Sequence, residues 1–326
     1  MSEAVKIDFN FIEQKLANHD PLNRDDAIGL LKISNQSDEF YRLMCIANSL
    51  SRNEYGNKGY IFAQIGLNAE PCTGGCRFCS LAQSNFSVEY HYRLTVDEAV
   101  MAGLDICRSE ISDLFLMTTA DYPFEHVINI ATKLRKSIPK SIRLVANIGD
   151  FTYEQAMQLK VSGFSGAYHI HRLNEGIDTD LSPDRRIDTL NNVHKAGLEL
   201  YYCVEPIGPE HTYEALVDEM LRARKYGVDV MAAMRRVPVP GTDMEKRGTI
   251  TLLELTKIAA VTRLVTRPKR SMNVHEPTEM ALLAGVNQLY AEYGANPRDT
   301  LAQTSKGRGS SIQRVKQMLE NANYIV

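Results

Sequence analysis

Residues 68–84 read Asn68-Ala69-Glu70-Pro71-Cys72-Thr73-Gly74-Gly75-Cys76-Arg77-Phe78-Cys79-Ser80-Leu81-Ala82-Gln83-Ser84, with cysteines at the spacing C-x3-C-x2-C. Three thiolates within eight residues can wrap one inorganic cluster, and Gly74 and Gly75 permit a tight turn between the first two. A [4Fe–4S] cube normally takes four cysteine ligands. Three from one loop leave one iron open, and an open metal position is where a substrate or cofactor binds. Zinc competes for such a loop, but zinc ribbons and fingers carry a second matched pair of Cys or His, and none follows here. A disulfide framework fits less well. The clustered thiols are odd in number, and the mixed, acidic N-terminus does not read as a secretory signal.

Working outward, the apolar run 60–67 reads as a strand that feeds directly into the cysteine loop. From there short apolar strands alternate with amphipathic helices. Strands are expected at 113–117, 142–147, 165–171, 198–205, 228–234, 271–274 and 286–291. Helices are expected at 95–109, 124–137, 152–161, 183–196, 212–226, 251–266, 276–284 and 310–321. Thr95 with Glu98 forms a capping-box pair, Thr152 opens another helix, and Gly197, Gly227 and Gly285 close theirs. Alternation of this kind argues for a parallel sheet, and eight units over residues 58–326 match a closed (β/α)8 TIM-type barrel. An open doubly wound sheet is the alternative, but the first strand-to-helix turn lacks a G-x-G-x-x-G loop. Residues 1–57 carry helical periodicity alone and read as an N-terminal helical cap.

Composition narrows the functional classes. The formal net charge of −3 gives no global pull toward nucleic acid or an anionic membrane, and no apolar run approaches a bilayer span. Three of the six cysteines lie outside the motif, scattered singly, which is reduced-thiol, cytoplasmic usage. Cys45 reads as a small buried hydrophobe, Cys107 as facing the helix–sheet core, and Cys203 as facing the barrel lumen.

In a barrel the reactive side chains sit at the C-terminal ends of the strands. That rule selects Thr118 to Asp121, Asn147 to Asp150, Tyr168 to Arg172, Tyr201 to Pro206, Arg235 to Pro238, His275 with Glu276, and Tyr290 with Glu292. His169 and His171 stand two apart, so they share a strand face opposite Tyr168 and Ile170. A helix-facing pair would need polar partners in an apolar layer, so the expectation places both in the lumen. With Glu205 and Arg236 they form the candidate catalytic set, beside His275 and Glu292. Arg235 and Arg236 cannot both face inward. Asp121 reads equally as an N-cap for the helix at 124, whereas Asp150 precedes a helix that Thr152 already caps.

The C-x3-C-x-aromatic-C run, with Phe78 just ahead of Cys79, resembles the signature of the radical S-adenosylmethionine (SAM) enzymes. The resemblance implies that Cys72, Cys76 and Cys79 hold a [4Fe–4S] cluster whose fourth iron is chelated by the amino and carboxylate groups of SAM. It further implies reductive cleavage of SAM to methionine and a 5′-deoxyadenosyl radical that abstracts hydrogen from a substrate. Positions beyond the motif resemble the biotin-synthase-like branch, which includes biotin synthase, the hydrogenase maturases and methylornithine synthase. The turn ending in Asp121 stands where that branch holds the SAM amino group, although its usual glycines are missing. Gly149-Asp150 resembles a Gly-Glu turn whose acid contacts SAM, and Val237-Pro238 stands where backbone contacts adenine. Val204-Glu205-Pro206-Ile207-Gly208 replaces the branch's Gly-x-Ile-x-Gly.

Biotin synthase takes sulfur from a second cluster held by three cysteines and an arginine. Only Cys107 and Cys203 follow the motif here, so sulfur insertion is the alternative rather than the leading reading. The leading expectation is a single-cluster enzyme acting on a small anionic or zwitterionic metabolite, in cofactor biosynthesis or hydrogenase-type cofactor maturation. Its implied partner is an external one-electron donor of flavodoxin or ferredoxin type. A non-catalytic metal-binding protein is a further alternative. An enzyme acting on nucleic acid is disfavoured by the balanced charge.

Overall fold

The computed structural model describes residues 7–326. Eight parallel strands close into a barrel, as the alternation predicts. The chain opens with α1 (Phe9–Ala17), α2 (Arg24–Leu31) and α3 (Asp38–Tyr55). Asp8 caps α1, an Asn23–Asp26 capping box starts α2, and Gly56 in the left-handed region ends α3. β1 (Tyr60–Gly66) then leads into a two-stranded ribbon, β2 (Asn68–Ala69) with β3 (Tyr92–Arg93), which brackets the cysteine loop. The rest alternates: α4 (Val96–Ile106), β4 (Asp113–Met117), α5 (Phe124–Ser137), β5 (Arg143–Asn147), α6 (Tyr153–Val161), β6 (Gly166–Tyr168) and α7 (Pro183–Ala196). It continues with β7 (Glu199–Ile207), α8 (Tyr213–Tyr226), β8 (Val230–Arg235), α9 (Leu252–Thr266), β9 (Ser271–Val274), α10 (Glu279–Leu282), β10 (Gln288–Tyr293) and α11 (Ile312–Asn321).

Barrel order is β1-β10-β9-β8-β7-β6-β5-β4, closed by β4 against β1. Alternate residues enter the lumen. On β4 these are Asp113, Phe115 and Met117, while Leu114 and Leu116 join the layer under the helices. Asp113 lies at the N-terminal end of the barrel, fully buried, and accepts hydrogen bonds from Arg270 (2.7 and 3.1 Å), Tyr201 Oη (2.6 Å) and Gln288 Nε2 (2.8 Å). Above it, Phe62 stacks on Phe115 at 4.5 Å and packs against Tyr290 at 4.3 Å. This polar floor and aromatic plug fill the lower lumen and leave the upper end free for a site.

The N-terminal helices share one apolar core with the barrel. Arg263 on α9 is fully buried. Its guanidinium donates to Ser51 Oγ (2.7 Å) and pairs with Glu54, both on α3. Lys257 donates to the Ile33 carbonyl at 3.0 Å. Cys45 differs from expectation. It is exposed on α3, whose core face is taken by Phe40, Leu43, Met44 and Ala47.

Candidate active site

The loop between β2 and β3 carries Cys72, Cys76 and Cys79 to the C-terminal mouth of the barrel. Its shape follows from local bonds. Cys72 N–H donates to the Leu81 carbonyl (2.8 Å), Cys79 N–H to the Cys76 carbonyl (3.0 Å), and Gln83 N–H to the Cys72 carbonyl (2.9 Å). Gly75 has φ of +59°, and a Cβ there would lie 1.9 Å from an Asp180 carboxylate oxygen, so only glycine fits. Asp180 N–H donates to the Gly74 carbonyl at 2.9 Å, which ties the loop to the segment before α7. On the other side, Asp121 accepts from Thr73 N–H at 2.8 Å and from the Thr73 hydroxyl.

Backbone donors converge on the sulfurs. Gly74 N–H and Ala120 N–H point at Cys72 Sγ (3.4 and 3.3 Å), and Leu81 N–H points at Cys79 Sγ (3.3 Å). Such donors favour thiolate over thiol and temper the charge of a thiolate-held centre. Burial pushes the Cys76 thiol up to about 11, with the Arg172 guanidinium pulling the other way. Burial also raises Cys79.

Below the loop lies a lumen cavity of ≈ 160 Å³ whose rim includes all three cysteines and Phe78. Phe62, Phe115 and Tyr290 form its apolar base, and Gln64 and Asn147, joined at 3.1 Å, supply neutral polar groups. Three guanidinium groups reach the wall. Arg186 comes from α7, fixed by the Ile170 carbonyl (3.0 Å) and Asp150 (3.0 Å). Arg298 follows β10 and donates to the His275 carbonyl (2.9 Å), with Glu292 and Asn296 orienting it. Arg172 follows β6, and its Nε and Nη1 are buried with no hydrogen-bond partner; Glu205 and Glu175 stand at 3.5 and 3.7 Å, ion-pair range only. Glu205 accepts from Tyr168 Oη at 2.8 Å, and His275 Nδ1 lies 3.8 Å from it.

No protein-family model matches the chain. The biotin synthase of Carboxydothermus hydrogenoformans is 25% identical over 299 residues, spanning 85% of this chain and 89% of that protein. That of Acetivibrio thermocellus is 28% identical over 265 residues, 78% of this chain and 80% of that protein. Among solved structures, methylornithine synthase superposes with a TM-score of 0.82 at 18% identity over 96% of both chains. HydG, a maturase of the [FeFe]-hydrogenase, gives 0.81 at 17% identity over 99% of this chain and 77% of that one. In sequence the chain is similar to the biotin synthases, and it shares its barrel fold with methylornithine synthase and HydG.

Radical SAM enzymes use a [4Fe–4S] cluster and SAM, and the residues at the cavity mouth suit that pair. Three thiolates on one tetrahedral zinc, at roughly 2.3 Å each, stand about 3.8 Å apart. Among the described residues, the group whose ligand atoms all fall within 4.8 Å is Cys203, Glu205 and His275, and the three motif sulfurs do not form one. The open side faces the arginine-lined cavity, where an anionic ligand group finds its countercharge.

Several expected site residues lie elsewhere. His169 and His171 are outside the lumen. His169 is buried against the Phe151 ring, with Nε2 3.1 Å from Asp150 Oδ1, and His171 Nδ1 contacts Glu219 of α8 at 2.9 Å. His171 thus has the polar partner a helix-facing histidine requires, whereas neither ring nitrogen of buried His169 makes a hydrogen bond and Asp150 stands beside it at ion-pair range only. Tyr168 and Arg172 occupy the lumen instead. Arg236 is buried between Glu210 and the Gly248 carbonyl (3.0 Å), away from the cavity. Asp121 clamps Thr73 and neither lines the cavity nor caps α5, whose N-cap is Pro123. Asp150 stands behind the cavity, bonded to Arg186 and Thr189. Burial opposes its charge, but the His169 contact and the Arg186 cation hold its carboxyl well below the usual range. Val237 is buried outside the lining. Cys72, Cys76, Cys79, Phe78, Glu205 and His275 do line the cavity or its rim. Arg186, Asn296 and Arg298 were absent from the strand-end set, because one comes from the middle of a helix turn and two from the segment after β10.

Proposed function

We propose that the enzyme holds one [4Fe–4S] cluster on Cys72, Cys76 and Cys79 and acts on a small anionic or zwitterionic metabolite bound in the barrel lumen. The observation that carries this reading is the convergence of three cysteine sulfurs and three guanidinium groups on one cavity. When bound, the cluster and SAM supply an electron-driven cleavage whose 5′-deoxyadenosyl radical takes hydrogen from the substrate. The protein's own residues do the rest. Asp121 and Asp180 fix the cysteine loop from two sides. Arg172, Arg186 and Arg298 pair with carboxylate or similar groups, of SAM or of substrate. Gln64 and Asn147 orient neutral polar groups, and Phe62, Phe115 and Tyr290 exclude water below. Sulfur insertion from a second cluster does not suit this lumen. Cys45 is exposed on α3 and Cys107 ends α4, which leaves Cys203 as the lumen cysteine beyond the motif. An external one-electron donor completes the reaction.

The test is to incubate reconstituted, reduced enzyme with SAM and a metabolite extract, then follow consumption by mass spectrometry. A consumed small metabolite bearing a carboxylate or phosphate supports the reading. Consumption of a purely cationic metabolite, or SAM cleavage unaltered by any extract component, contradicts it.

A further inference from the structure

The deeper wall of the cavity carries a second group of metal-ligating side chains. Cys203 Sγ, a Glu205 carboxylate oxygen and a His275 ring nitrogen all lie within 4.8 Å of one another. Cys203 and Glu205 alternate on β7 toward the lumen, and His275 follows β9 on the neighbouring side. Cys203 is fully buried, whereas His275 and Glu205 reach the cavity surface. His275 Nδ1 and Glu205 Oε2 stand 3.8 Å apart. Nitrogen and oxygen ligands at roughly 2.0–2.1 Å on a tetrahedral ion are about 3.4 Å apart, so the His275–Glu205 pair needs to close by only a few tenths of an ångström, with Cys203 Sγ inside the same 4.8 Å circle. Tyr168 Oη holds one Glu205 oxygen at 2.8 Å and Arg172 lies 3.5 Å from the other, which sets the carboxylate's orientation.

A second observation comes from Asn273. It is fully buried, and both its amide oxygen and its amide nitrogen are unpartnered. It lies on β9 two residues before His275, which follows the strand end and lines the cavity. In register, Ala232 separates Asn273 from Cys203 and contributes only a methyl group at that level of the lumen. An unpaired buried amide is costly and marks a polar occupant beside it.

We propose that Cys203, Glu205 and His275 hold one zinc ion at the base of the lumen cavity, with its fourth position open to the cavity. The mixed sulfur, nitrogen and oxygen set selects a borderline ion of the zinc type over magnesium or calcium. Three protein ligands with one open position is the arrangement of a catalytic rather than a structural zinc. Two anionic ligands neutralise the divalent charge, so Arg172 borders a neutral centre. The open position takes a donor atom of the substrate and fixes it beneath the cluster. That role rests on the function proposed above, whereas the presence of the ion does not.

Reconstituted protein, whose motif cysteines are occupied by iron, is equilibrated with zinc, passed into metal-free buffer, and assayed for zinc and iron on the same sample. About one zinc beside about four iron is expected, with one sulfur among the zinc neighbours by X-ray absorption. Cys203→Ser and His275→Gln should each weaken zinc retention roughly 100-fold while leaving iron and far-UV circular dichroism unchanged. Should Cys203→Ser not fold, Glu205→Gln reads out the same site. Zinc below about 0.1 per chain, or zinc that survives these substitutions, overturns the inference. Missing iron together with zinc that Cys203→Ser still removes would sink the cluster reading alone.

Discussion

His171→Ala and Arg172→Gln form a paired test of which face of the segment after β6 meets the lumen. His171 gives Glu219 one hydrogen bond at 2.9 Å, while Tyr202 Oη (2.6 Å) and Arg222 (3.1 Å) continue to satisfy that carboxylate. Loss of one bond to a charged group costs about 1.5–3 kcal/mol, and the remaining partners place His171→Ala near the lower end. At roughly 2.1 cal/mol/K per residue, a chain of 326 residues loses about 1.5 °C in Tm for each kcal/mol. A fall of about 2–4 °C is expected, measured anaerobically by circular dichroism, with SAM cleavage and product formation unchanged. Arg172→Gln should show the reverse. Its anionic ligand should bind about 10–100-fold more weakly, the equivalent of roughly 1.5–3 kcal/mol, with four iron retained. A His171→Ala enzyme with native Tm that cleaves SAM without forming product would refute this assignment of faces.

Three further outcomes follow from the same contacts. Asp121→Ala releases Thr73 at the first cysteine, so iron should be lost to a chelator faster, while SAM affinity of the intact protein stays within about twofold. Arg270→Ala leaves Asp113 buried and uncompensated, and denaturant unfolding should report a loss of about 3–5 kcal/mol. Burial, then the Arg186 charge, holds His169 down at about 4, against the opposing pull of Asp150. The unfolded chain binds a proton at this histidine below about pH 6.5 and the native protein does not, so stability is full above that pH and falls as pH drops toward 4. Asp150, held low, adds its own loss only below about pH 4. His169→Gln should flatten the stability profile between about pH 6.5 and 5, and an unchanged slope there removes His169 as its source.

The sequence makes most of the barrel legible because its punctuation is local. Helices Phe124–Ser137 and Pro183–Ala196 and strands Asp113–Met117 and Ser271–Val274 match expectation residue for residue. Pro183 at a helix start, Gly197 at its end and unbroken apolar runs state their roles within a few residues. The three cysteines are legible for the same reason. The rest of the site depends on partners far along the chain. β6 is only three residues long, so alternation carried past Tyr168 rests on backbone that has already left the strand. Asp150 looked like a ligand contact, yet its partners Arg186 and Thr189 lie 36 and 39 residues on. Asp121 reaches 48 residues back to Thr73 instead of into the cavity. Arg298 enters the lumen from a stretch between β10 and α11 that has no periodicity to announce it. Cys45 sits between the core residues Met44 and Ile46 yet is exposed, a reminder that residue type alone does not set the face of a helix.

The central claim, one SAM-cleaving cluster on the loop after β1, is tested most directly by counting products from the reconstituted, reduced protein. Wild type with about four iron and four sulfide should convert SAM to 5′-deoxyadenosine and methionine in equal amounts. Cys72→Ala, Cys76→Ala and Cys79→Ala should each abolish both products, while Cys45→Ala and Cys107→Ala should retain them. Protein that carries its four iron, binds SAM and on reduction releases no 5′-deoxyadenosine would contradict the account.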